Sequence, residues 1–210
     1  MKGSQTTFIP EKTLIKAAQH GDLEAFNLLI LHYQNLLFGI ALRLLNDEDV
    51  AADAVQEALI SAFRRFNTFR GDSLRSWLAR VVVNACYDEM RKKRRQHSVP
   101  LELFNAEGEE IETSYWLVNP QADPELQFES SELESAIQNS LNKLPPIYRL
   151  MLVLVDVEGL SYEEAAHAAG IPVGTVKSRL ARARLQMQKS LQISGELLPA
   201  SYRVELPLSV

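Results

Sequence analysis

Cysteine is almost absent from this sequence. The single one, Cys86, excludes an intramolecular disulfide and a cysteine-based zinc cluster, and fits a reducing compartment. It stands in the apolar run VVVNACY, where a small core residue is the expected role rather than a reactive thiol. No window reaches the roughly 18 apolar residues of a membrane span, and the start MKGSQTTFIPEKT has no continuous apolar h-region. The chain is therefore expected to be soluble and cytoplasmic, with no membrane insertion of its own. There is no Walker loop and no HExxH, and His20, His32, His97 and His167 are scattered without ligand spacing, so no catalytic site, cofactor or metal is expected. The most telling absence is of acids: residues 165–195 contain no Asp or Glu, yet they carry Lys177, Arg179, Arg182, Arg184 and Lys189.

That gap stands in a chain of 210 residues with 27 acidic against 22 basic side chains and a net charge of -5. Charge is blocked along the sequence, so the average conceals the pattern. Residues 60–96 hold ten Lys/Arg against three Asp/Glu, whereas 97–142 hold ten Asp/Glu and no Lys or Arg. Two basic bodies are joined by an acidic strap.

Apolar spacing is helical nearly throughout, and an all-α fold is expected, with two small helical domains joined by a flexible acidic linker, the second a helix-turn-helix domain. A short helix is read at 11–20. Gly21 and Asp22 then form the stop and N-cap of a long helix whose Phe26, Leu29, Ile30, Tyr33, Leu37, Ile40 and Leu44 recur three or four apart. Another helix opens at Asn46 or Asp47, with acids in its first turn and Arg64 and Arg65 in its last, both favourable to the helix dipole. NTFRGDS reads as a loop, and Asp72 or Ser73 caps a third long helix from 74 to about 95. The domain boundaries expected are 11–96, an acidic linker at 97–130 carrying the apolar knot SYWLV at 114–118, a second helical body at 131–193, and a tail at 194–210.

In the second body SELESAIQNSLNKL is one helix, LPPIYRLMLVLVDVEG starts with proline at N1 and stops at Gly159, and SYEEAAHAAG opens with a capping box and ends at Gly170. A short helix, a three- to four-residue turn containing glycine and a longer basic helix make a helix-turn-helix. At about 100° per residue, Val173, Val176, Leu180, Ala183, Met187 and Leu191 share one side, which packs. The opposite arc carries Lys177, Ser178, Arg182 and Arg184, with Thr175 and Arg179 on its edges. Such an arc fits a major groove, where Arg and Lys reach guanine acceptors and hydroxyls reach base edges or phosphates. A carboxylate there would face the phosphate charge of the duplex, which accounts for the missing acids.

The first body adds five consecutive cations, Arg91 to Arg95, and a loop region where Phe63, Phe66, Phe69 and Trp77 alternate with Arg64, Arg65, Arg70, Arg75 and Arg80. Aromatics beside cations are what unpaired bases need for stacking. Phe63 and Phe66 are expected in the core, and Phe69, in the loop, is expected to be available to a base.

At this point DAVQEALISAFRRFNTFRGDSLRSWLARVVVNACYDEMRKKRRQ and LPPIYRLMLVLVDVEGLSYEEAAHAAGIPVGTVKSRLARAR resemble the two domains of the extracytoplasmic-function (ECF) sigma factors of the sigma-70 family, over about 11–191 and in the right order. The resemblance implies a transcription initiation factor that is not an enzyme. Its partners would be core RNA polymerase, promoter DNA and an anti-sigma factor. It implies docking on the polymerase clamp helices through Asp53, Gln56 and Glu57. Capture of a base flipped from the minus-ten element is implied for the loop 67–73 and the next helix, with Phe69, Arg70, Trp77, Arg80 and Asn84. Reading of the minus-thirty-five element is implied for Lys177, Ser178, Arg182 and Arg184, with Tyr162 and Glu163 nearby. The linker would thread the polymerase cleft; about 34 residues reach at most roughly 110 Å fully extended. The alternative is a stand-alone helix-turn-helix regulator that uses its first body for dimerisation; tight sequence-specific binding without polymerase distinguishes it.

Overall fold

A computed structural model describes residues 9–71, 73–96 and 128–193. The expected knot at 114–118 and tail at 194–210 lie outside them, as does the expected linker up to Phe128. The elements run α1 (Glu11–Gln19), α2 (Leu23–Leu45), α3 (Glu48–Arg65), a 3-10 turn (Phe66–Thr68), α4 (Leu74–Gln96), α5 (Phe128–Asn142), α6 (Pro146–Leu152) continued by a π turn (Val153–Val157), α7 (Tyr162–Ala169) and α8 (Val173–Ile193). No strand occurs among the described residues.

Local chemistry sets each boundary. Asp22 caps α2 by accepting the Ala25 N–H at 3.0 Å. Asn46 ends α2 in the left-handed region at φ 54°, which Asn tolerates, and Asp47 caps α3 through the Val50 N–H at 3.1 Å. Ser73 caps α4, its hydroxyl accepting the Ser76 N–H at 3.2 Å. Helix α7 has the full capping box: the Ser161 hydroxyl accepts the Glu164 N–H at 3.1 Å, and the Glu164 carboxylate accepts the Ser161 N–H at 3.0 Å. The helix expected to run unbroken to Gly159 instead widens after Leu152. The Glu158 N–H reaches back five residues to the Val153 carbonyl at 2.9 Å, a π turn that the apolar pattern alone does not announce.

The first body packs α1 to α4 around one core. Ala51, Ala54, Ala58 and Ala62 form the buried face of α3, and their small side chains let it approach α2 and α4 closely. Cys86 is fully buried, and desolvation pushes its thiol up to about 12, consistent with a core residue. Although no membrane-length run is expected from the sequence, α2 has the length and apolarity of one, with 23 residues and a mean hydropathy of 1.5. Its Phe26, Leu29, Leu37, Ile40 and Leu44 are buried, and it packs against α1, α3 and α4, which makes it the central core helix of this body. The second body buries Leu141, Met151, Val153, Leu154, Val176, Leu180 and Ala183, with α8 lying across α6 and α7. The two bodies touch, chiefly where α4 meets α7.

Candidate nucleic-acid interface

Helix α8 divides as its period requires. Val176, Leu180 and Ala183 are buried against α6 and α7, while Lys177, Ser178, Arg182 and Arg184 are exposed and Thr175 and Arg179 are half-exposed. The turn before it is closed by Gly170 at φ 68° and by the Ile171 N–H on the Ala166 carbonyl at 3.0 Å, which sets α8 against α7. The Lys177 ammonium lies 5.7 Å from the centroid of the Tyr162 ring. Arg184 is not free: its guanidinium forms a two-pronged pair with Asp156 at 2.6 and 2.9 Å, which raises its pKa further above the usual arginine value. Asp156 is part of the π turn, and the pairing joins that turn to the exposed face of α8.

The first body brings Phe26, Phe63, Phe66, Phe69 and Trp77 into one aromatic cluster. Phe66 stacks on Phe69 at 5.9 Å and meets Trp77 edge-on at 5.6 Å; Phe69 meets Trp77 at 5.5 Å. Phe69 is only 4% exposed, so the expectation that its ring is available to a base is corrected. The loop turns its side chain inward because Phe66 and Trp77 already form an apolar wall, and burying a phenyl ring there outweighs exposing it. Trp77 is half-buried in the same wall. Arg70, Arg80 and Asn84 remain exposed. Arg70 donates to the carbonyls of Asn67 at 2.8 Å and Phe69 at 3.3 Å, bracing the loop. Trp77, Arg80 and Asn84 follow one another at three- and four-residue steps along α4 and so share a face.

On another side of this body Asp53, Gln56 and Glu57 are all exposed on α3. Gln56 borders an open groove between α2 and α3 lined by Phe38, Val55, Leu59 and Ile60, the last 48% exposed. The groove is mostly apolar, with Gln34 and Gln56 as its polar lining residues.

Residues 29–96 match the family model Sigma-70 region 2, and residues 134–187 match Sigma-70, region 4. The chain is 36% identical over 183 residues to the RNA polymerase sigma-H factor of Pseudomonas aeruginosa, covering 87% of this chain and 94% of that one. It is 36% identical over 186 residues to the ECF RNA polymerase sigma-E factor of Escherichia coli K12, covering 88% and 95%. The chain belongs to the sigma-70 family, as an ECF sigma factor. As such it is a transcription initiation factor that directs RNA polymerase to promoters. Among solved structures, this ECF factor is similar to the sigma factor RpoE in complex with the anti-sigma factor NepR from Bartonella quintana, with TM-score 0.60, 29% identity and coverage of 81% of this chain and 99% of that one. It shares its fold with CnrH in complex with the cytosolic domain of CnrY, at TM-score 0.64, 24% identity and coverage of 87% and 97%.

Within the ECF factor, the structure gathers Lys177, Ser178 and Arg182 on one open face of α8, whereas Arg70, Arg80 and Asn84 stand on the other body, Arg80 beside Gly170 in the turn between α7 and α8. Sequence reading missed Asp156, whose pairing with Arg184 depends on the π turn. It also missed Glu158 and Glu164, which contact the first body. The only sequence signal for Glu164 is its place in the capping box.

Proposed function

We propose that α8 enters the major groove of the minus-thirty-five element, with Lys177, Ser178 and Arg182 toward the bases and phosphates, Thr175 and Arg179 at the edges, and Arg184 held at the margin by Asp156. The observation that carries this reading is the exposed, acid-free face of α8 opposite the one that buries Val176, Leu180 and Ala183. In the first body, Arg70, Arg80 and Asn84 meet the flipped minus-ten base, with Trp77 as a partly open wall and Phe69 as the support behind it. Extracting a base costs a few kcal/mol of unstacking, which polymerase contacts help to offset. The polymerase docks along α3 through Asp53, Gln56 and Glu57, in the groove floored by Phe38, Val55 and Leu59. The regions 11–96 and 131–193 thus serve as the polymerase-binding and melting domain and the groove-reading domain. The factor works in the cytoplasm and contributes no catalysis. An anti-sigma factor is its regulatory partner, as the complexes of RpoE with NepR suggest by similarity.

The test is promoter binding by reconstituted holoenzyme on a panel of upstream sequences. Arg182→Ala is expected to weaken recognition at one upstream position by about 1 to 3 kcal/mol and leave affinity for core polymerase unchanged. An equal loss on every sequence would reduce Arg182 to a phosphate contact.

A further inference from the structure

Helix α1 has no part in groove reading or polymerase docking as described above, and it lies outside the residues 29–96 that match Sigma-70 region 2. It is nevertheless fastened at both ends. Near its start the Tyr33 hydroxyl donates to the Glu11 carboxylate at 2.9 Å; burial and that carboxylate push the Tyr33 pKa up to about 12. Leu14 and Ala18 are buried, and the helix packs on α2 and on the 3-10 turn Phe66–Thr68. In its last turn the half-buried Gln19 donates from its side-chain amide to the Phe69 carbonyl at 2.8 Å, across 50 residues of sequence.

That carbonyl belongs to the loop that meets the minus-ten base. A loop has no ladder of backbone partners, so side chains must fix its course. Phe69 is held by its N–H, its ring and its carbonyl. The N–H donates to the Phe66 carbonyl at 3.1 Å, the ring is buried between Phe66 and Trp77, and the carbonyl accepts from Gln19. The direction of a carbonyl follows the ψ angle of its own residue, here 121°, and because the peptide unit is planar the same rotation swings the next residue. Gln19 therefore sets the direction in which Arg70 leaves the loop. Arg70 donates to the same carbonyl at 3.3 Å and to that of Asn67 at 2.8 Å, but it must surrender these bonds when its guanidinium turns to a base. Of the two donors on the Phe69 carbonyl, only Gln19 then stays. We infer that Gln19 is a positioning residue for capture of the minus-ten base, and that α1 belongs to the base-capturing unit. This rests on the promoter-directing reading above. The amide keeps the loop in the one arrangement that receives the base, so the competent population is not diluted by others.

The test uses holoenzyme reconstituted with the full chain and single-stranded minus-ten oligonucleotides, intact or with one base at a time replaced by an abasic site. Gln19→Met keeps the side-chain length and the helix propensity and loses the donor. It is expected to weaken binding of the intact oligonucleotide about fivefold, the effect of one neutral hydrogen bond. Affinity for core polymerase and for a minus-thirty-five duplex is expected to stay unchanged. On the oligonucleotide that lacks the captured base, wild type and Gln19→Met are expected to bind alike, because the interaction lost is the one with that base. Gln19→Lys restores a donor of similar reach and is expected to recover most of the loss. Where urea unfolding shows Gln19→Met unfolded, Gln19→Ala takes its place in the same comparison. Unchanged binding of the intact oligonucleotide overturns the positioning role. So does a fivefold loss that persists on every abasic oligonucleotide, which would make Gln19 a support of the body as a whole. A wild type indifferent to every abasic site overturns the base-capture reading itself, whatever the variants do.

Discussion

The ring of Phe69 packs between Phe66 and Trp77, and this position governs what its removal does. Phe69→Ala is expected to destabilise the first body by about 3 to 5 kcal/mol, read by urea unfolding. Phe69→Leu refills much of the space and is expected to recover most of that loss. Wild-type stability in the alanine variant, together with failed strand opening in permanganate footprinting, would return Phe69 to the role of base contact. The division of α8 into buried and exposed faces was legible at this scale, because the helical period assigns Val176, Leu180 and Ala183 to one side and Lys177, Ser178 and Arg182 to the other. The direction of Phe69 was not legible. A loop has no period, so only the apolar wall formed by tertiary packing determines which way its ring points.

At the scale of the element, the π turn joins core to interface. By widening the helix after Leu152 it directs Asp156 to Arg184, an exposed pair whose geometry is two-pronged. Exposed pairs contribute little to stability, so the expected consequence concerns DNA rather than folding. Asp156→Asn frees Arg184 to meet a phosphate and is expected to steepen the salt dependence of promoter binding by holoenzyme by about one ion. Adding Arg184→Ala should reverse the change; an unaltered slope in Asp156→Asn would mean that Arg184 never reaches the duplex. Caps were the most legible elements: Asp22, Ser161 and Gly170 stand where their side chains or backbone freedom place helix ends. The π turn was hidden, since VLVDV reads equally well as ordinary helix and only the hydrogen bond of the Glu158 N–H distinguishes it.

At the scale of the whole molecule, charge blocking along the sequence indicated two bodies, each with its own cationic surface, and two bodies are what the helices build. Their contact was not legible. Ser73 and Glu164 are 91 residues apart in sequence, and each has a sufficient local explanation as a helix cap. The 31 residues between α4 and α5 reach at most about 105 Å when fully extended.

The most direct measurement is transcription by purified core polymerase, with and without this factor, on templates drawn from its own genome, with start sites mapped. Initiation at a defined set of starts, each preceded by shared minus-ten and minus-thirty-five sequences and abolished without the factor, is the result predicted. Start sites and yields indistinguishable from those of core polymerase alone on every template would contradict it.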